Sequence, residues 1–150
     1  MNQNKSNYGN PRRGPEQSIS ATVNLADVVL TGEKINPELF ASIADRTARQ
    51  IAESCKDTVN KATQLRRFYD EVCLWHEKLR TQPEKFSDYL PFIKMIGAKV
   101  AYAKGRNLVD ENFYKMMEHC LKQVSDKKSF DLFKTFFEAF MGFYKMHKPK

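Results

Sequence analysis

Two segments carry basic residues at spacings that suit a polyanion. TQLRRFYDEV occupies residues 63–72, and LPFIKMIGAKVAYAKGR occupies residues 90–106. Both read as amphipathic helix with cations on the solvent side. The second holds Lys94, Lys99, Lys104 and Arg106 and no acidic residue. Arginine forks onto a phosphate, and lysine adds a mobile point charge. The chemistry this implies is electrostatic: binding to a phosphate backbone without reading sequence. On helical periodicity Lys99 and Arg106 stand two turns apart on nearly one line, with Lys94 and Tyr102 on the same side. Arg66 and Arg67 diverge around their helix and have acidic neighbours, which makes them the weaker pair. The competing reading of all these cations is a solvated bundle surface. Tyr102 reads as a packing residue rather than a base-stacking one.

No pattern supports a nucleophile, a metal or a cofactor. His76, His119 and His147 are far apart in sequence, and no CxxC, HExxH or GxxxxGK[ST] motif occurs. His119 and Cys120 are adjacent, and adjacent side chains on a helix do not share a face. Asp70 and Glu71 sit among Arg66, Arg67 and Lys78 at helical distances, so surface ion pairing accounts for them. His76, beside Trp75, reads as a packed structural histidine. The expectation is a protein without catalytic residues.

The charge is unevenly placed. The first sixty residues hold seven basic and seven acidic groups; the last ninety hold eighteen and eleven, so the whole net charge of +7 lies there. A localised excess points to an anionic partner more strongly than a diffuse one. No run of about 18 apolar residues occurs, so no spanning helix and no membrane partner are expected. The first residues lack the apolar core of a signal peptide. Cys55, Cys73 and Cys120 form an odd, widely spaced set that fits reduced thiols in a cytoplasmic protein.

The elements that must carry these cations are helical. Residues 1–18 are rich in Asn, Gly, Pro, Arg and Ser and read as a disordered arm, with Arg12 and Arg13 as solvated tail charges and contact with a polyanion as the alternative. Residues 19–31 read as an extended segment or short turn, ended by Gly32. Asn36 and Pro37 should cap and open a first helix running to about Lys56. Thr63 should cap a second, to about Arg80, with Leu65, Phe68, Val72, Trp75, His76 and Leu79 in one stripe. Pro83 opens a third, with a bend before Pro91 and a terminator at Gly105. A fourth runs from about Asp110 to Gln123. A fifth begins at Ser125 or Asp126 and carries six of the eleven phenylalanines. It is either the centre of the bundle or part of it meets a partner. Leu74 and Met95 stand among polar neighbours and are candidates for a protein interface. The expected architecture is all-α: a compact bundle of about five helices over residues 33–150, after a flexible or extended arm over residues 1–32.

At the residues of the two basic blocks the chain resembles the small subunit of type III-A CRISPR effector complexes. The likeness rests on Thr63 to Val72, on Leu90 to Lys94 and on Ala98 to Arg106, together with the distance between the blocks; it extends from about Glu33 to Met146. The resemblance implies a non-catalytic helical subunit that stacks in several copies along a ribonucleoprotein filament. Its implied partners are crRNA and target RNA, the backbone and large effector subunits, and other copies of itself. The RNA-facing surface it implies falls on Arg66, Arg67, Lys94, Lys99 and Arg106, with Lys104 at its margin. Leu65, Phe68, Tyr69 and Val72 would lie in or near the core. The alternatives are a stand-alone helical nucleic-acid-binding or scaffolding protein, and the small subunit of a type III-B complex.

Overall fold

A computed structural model of the chain describes residues 22–148. The tail arginines Arg12 and Arg13 lie outside these residues. Among the described residues every regular element is helical. The helices are α1 (Ala44–Ser54), α2 (Ala62–Thr81), α3 (Phe86–Gly105), α4 (Glu111–Gln123) and α5 (Lys127–His147). A π-helical turn (Leu39–Ile43) leads into α1, and a 3-10 turn (Pro83–Lys85) leads into α3.

Helix α5 is the centre. Its Phe130, Phe133, Phe136, Phe137, Phe140 and Tyr144 are fully buried. No single stripe of a helix could hold these positions, so α5 needs neighbours on several sides. Helices α1 and α2 supply the principal contacts, and α4 completes the ring. Phe113 of α4 packs against Phe137 and Phe140, with centroids 6.3 Å apart in each case. Helix α3 stands one layer further out, against α2 and α4. It buries Ile93, Ile96, Val100 and Ala103 along one narrow face.

The helix ends follow local chemistry, with three departures from the sequence expectation. Asp110 and Asp126 cap α4 and α5, each accepting from a backbone N–H three residues on, and Ser129 completes a capping box with Asp126. Asn36 does not cap the first helix. Its side chain accepts from the Glu38 N–H in a local turn, and Glu38 is the cap, accepting from Ser42. Thr63 lies inside the first turn of α2, which starts after Lys61 with no side-chain cap. Gly105 is the last residue of α3, but the left-handed position is Asn107, at φ 60°. Asparagine tolerates that conformation better than other non-glycine residues.

Residues 22–31 form an extended strap along α4. The Val23 N–H donates to Asn112 near the start of α4, and the Leu30 N–H donates to Gln123 at its end. The Val28 carbonyl accepts from Gln123 and from the His119 ring. Val23, Val28 and Leu30 are buried beneath.

Candidate nucleic-acid interface

Helices α2 and α3 run antiparallel. Trp75 of α2 meets Tyr89 and Phe92 early in α3, and Glu71, one turn earlier in α2, meets Lys99, later in α3. Each helix turns one stripe outward at alternating spacings of three and four residues. On α2 the stripe is Gln64, Arg67, Glu71, Leu74 and Lys78. On α3 it is Phe92, Met95, Lys99, Tyr102 and Arg106. The two stripes lie side by side as one face. Its apolar residues are well exposed: Leu74 52%, Phe92 54%, Met95 54% and Tyr102 68%. Tyr102 is therefore not a packing residue. Its position points away from the α3 core line, and its ring meets the Arg106 guanidinium at 5.8 Å.

The six cations expected from sequence divide into different environments. Lys94 and Lys104 turn toward α4. The Lys94 ammonium donates to the Leu121 carbonyl, in the last turn of α4, where the helix dipole favours a cation. Burial holds the Lys94 pKa below the usual lysine value. Lys104 pairs with Glu111 in the first turn of α4, and that hydrogen bond raises the lysine pKa. Lys104 also lies over the Tyr114 ring at 5.1 Å. These two lysines fasten α3 to both ends of α4. The single basic side expected for α3 is thus split, because α2 and α4 flank it on opposite sides.

Lys99 lies on the α2 side and pairs with Glu71 at 2.5 Å. Glu71 thereby pairs across helices rather than with Arg67. Arg66 makes a looser, solvent-exposed pair with Asp70 at 3.8 Å. Among the described residues Arg67, Arg106 and Lys78 form no ion pair. Lys78 stands over the Trp75 ring at 5.1 Å. Sequence reasoning passed over Lys78 and Phe92 as parts of this face. Their signal was available: Lys78 continues the spacing of Arg67, Glu71 and Leu74, and Phe92 continues that of Met95 and Lys99.

The remaining polar groups are tied into the scaffold. His76 lies 3.2 Å from Asp131 and beside the Phe130 ring, joining α2 to α5. His147 lies 2.5 Å from Asp45, joining α5 to α1. Lys148, just after α5, donates to Cys55 Sγ and to the Lys56 and Val59 carbonyls, tying the end of α5 to the α1–α2 loop. A cavity of about 210 Å³ opens at the α3–α4 crossing, lined by Lys94, Gly97, Tyr114, Glu118, Leu121 and Lys122. Its one carboxylate, Glu118, is held below the usual value by hydrogen bonds from Lys122 and Tyr114. Among the described residues no group of three or more His, Cys, Asp or Glu side chains could hold a metal ion, and no helix is long and apolar enough to cross a membrane.

The family model described as Csm2 Type III-A matches residues 36–150. No curated protein and no solved structure matches the chain.

Proposed function

Since this chain belongs to the Csm2 type III-A family, the small subunits of type III-A CRISPR effectors, we propose that it is a non-catalytic subunit that binds crRNA-paired target RNA through the α2–α3 face. The setting is cytoplasmic antiviral defence, and the partners are the backbone and large effector subunits and further copies of this chain. One observation carries the RNA assignment: Arg67, Lys78 and Arg106 stand on one face without a carboxylate partner. A cation already paired must exchange a carboxylate for a phosphate, which leaves little net gain. An unpaired one releases counterions outright.

Lys99 contributes by exchanging Glu71 for a phosphate, and Arg66 does the same at the margin. Lys94 and Lys104 act mainly by holding α3 on α4. Guide pairing supplies sequence specificity, so backbone contacts suffice for this subunit. Stacked copies would join short basic faces into one track, and weak contacts then act together.

The test is target-RNA binding by the reconstituted effector over a salt series. R67A/K78A/R106A should assemble normally, bind RNA more weakly and lower the salt slope by up to about three. K94A/K104A should lower the stability of the subunit and leave the slope nearly unchanged. Equal slopes for wild type and the first triple variant would defeat the RNA assignment.

A second reading is favoured by the exposure of Leu74, Phe92 and Met95, which makes the same face a contact between subunits. Leu74→Gln with Met95→Gln should then block assembly while the isolated chain still folds. Intact assembly removes this reading.

A further inference from the structure

We infer that the rings of Phe92 and Tyr102 are stacking platforms for unpaired nucleobases, so that within the paired target RNA proposed above the α2–α3 face takes stretches whose bases are splayed out of the stack, in preference to a continuous duplex. This rests on the RNA-binding reading above and narrows its substrate class.

Phe92 is preset for stacking. Its ring lies nearly parallel to Trp75, with centroids 5.6 Å apart and planes 17° apart, yet more than half of the residue is exposed. Trp75 is itself held by Tyr89 at 5.3 Å and by Lys78. The ring therefore has its orientation before any ligand arrives, which lowers the ordering cost of binding. Tyr102 is the most exposed large apolar residue of the described chain, and Arg106 lies over its ring. A guanidinium in that place offers both a flat stacking surface and a phosphate fork.

The spacing selects the ligand. Ten residues of α3 separate the two rings by about 15 Å. Stacked bases in a duplex lie about 3.4 Å apart and cover one another's faces. Two rings so far apart cannot join one continuous stack; they can receive two splayed bases. Single-strand binders combine such rings with a cationic track, and every base has a face to offer. Here Lys99 lies between the platforms along α3, Lys78 lies over the Trp75 ring that backs Phe92, and Arg106 lies over Tyr102. Cations at this density also argue against a dry protein contact. Asp88, in the first turn of α3, sets the limit of the track, which runs from Phe92 toward Arg106.

The experiment uses the full chain with a short oligouridine carrying one central 2-aminopurine, and the same strand in a blunt RNA duplex, at low salt. Wild type should bind the single strand more tightly and quench the 2-aminopurine. F92A and Y102A should each weaken single-strand binding about ten-fold, within the range base–aromatic stacking produces. They should lose quenching and leave the salt slope unchanged, because no cation is removed. F92L keeps apolar area without a flat ring and should behave like F92A; F92W should restore binding. Circular dichroism reports whether each variant is folded. The inference is overturned if F92L binds as wild type does, if folded variants lose duplex binding equally, or if they lose only self-association. Wild-type binding to duplex alone overturns it while sparing the RNA reading. Binding to neither RNA overturns it, and the salt series on the reconstituted effector then decides the RNA reading by itself.

Discussion

Helices α5 and α3 are both rich in large apolar residues, and they use them oppositely. Helix α5 buries five phenylalanines and Tyr144 completely, inside a ring of other helices. Helix α3 buries only one narrow face and leaves Phe92, Met95 and Tyr102 in solvent between cations. The difference is one of position in the layers. A central helix has neighbours on several sides, so each apolar residue finds a partner. An outer helix has neighbours only on its flanks, so its outward stripe is free to serve a ligand. In α5 a ring is worth its burial; in α3 the exposed rings add little to the core.

Substitutions should separate these two economies. The largest expected effect is at Phe137, which touches Tyr69, Phe113, Phe133 and Phe140. Phe137→Ala should cost about 3–5 kcal/mol in urea unfolding, as cavity-forming core truncations do. Phe92→Leu should cost under about 1 kcal/mol, since it forfeits only the aromatic pairing with Trp75. Comparable losses at the two positions would erase the distinction between core and exposed rings.

Tyr144 sharpens the comparison at the end of α5. Its hydroxyl donates to the carbonyl of Asn60, a buried residue in the left-handed region at φ 54°. Burial raises the Tyr144 pKa well above the usual phenol value. Tyr144→Phe should cost about 1–2 kcal/mol, chiefly from a buried carbonyl left with one partner fewer.

A smaller, pH-dependent effect belongs to the α5 cap. Hydrogen bonds from Ser129 hold the Asp126 carboxyl below its ordinary value. A carboxyl depressed in the folded state stabilises above its unfolded pKa of about 3.9 and loses that contribution as pH falls through the lower folded value. Loss of the N-cap hydrogen bond should make Asp126→Ala cost about 1 kcal/mol at neutral pH. Its deficit should shrink in acid, and thermal unfolding at pH 7 and pH 3 would show it. A deficit equal at both values would assign the effect to something other than the charged cap.

Much of the fold was legible in residue order. The phenylalanines of α5 recur too closely for one stripe, which marked it as central or partner-bound. Residue order put the start of α4 at about Asp110 and that of α5 at Ser125 or Asp126; the structure makes Asp110 and Asp126 the caps, each satisfying a free N–H group. Near Asn36 several polar residues compete for the same few donors, whereas Thr63 already lies inside α2, whose start has no side-chain cap. Only the settled backbone shows that Glu38 wins the first contest. The basic face was legible in part. Lys99, Arg106, Met95 and Leu74 could be placed on solvent-facing sides from period alone, whereas the partners of Lys94 and Lys104 come from α4 and Lys99's comes from α2.

By itself, then, the sequence determined that the chain is helical, that its positive charge gathers in the last ninety residues, and which family it joins. These follow from local spacing, composition and motif, which survive without a fold. Tertiary structure alone decided which cations stay unpaired. An ion pair or a carbonyl contact depends on a few ångströms between residues distant in the chain, and helix packing sets those distances. It turned Lys94 and Lys104 into fasteners, matched Lys99 to Glu71, and left Arg67, Lys78 and Arg106 without an ion pair among the described residues.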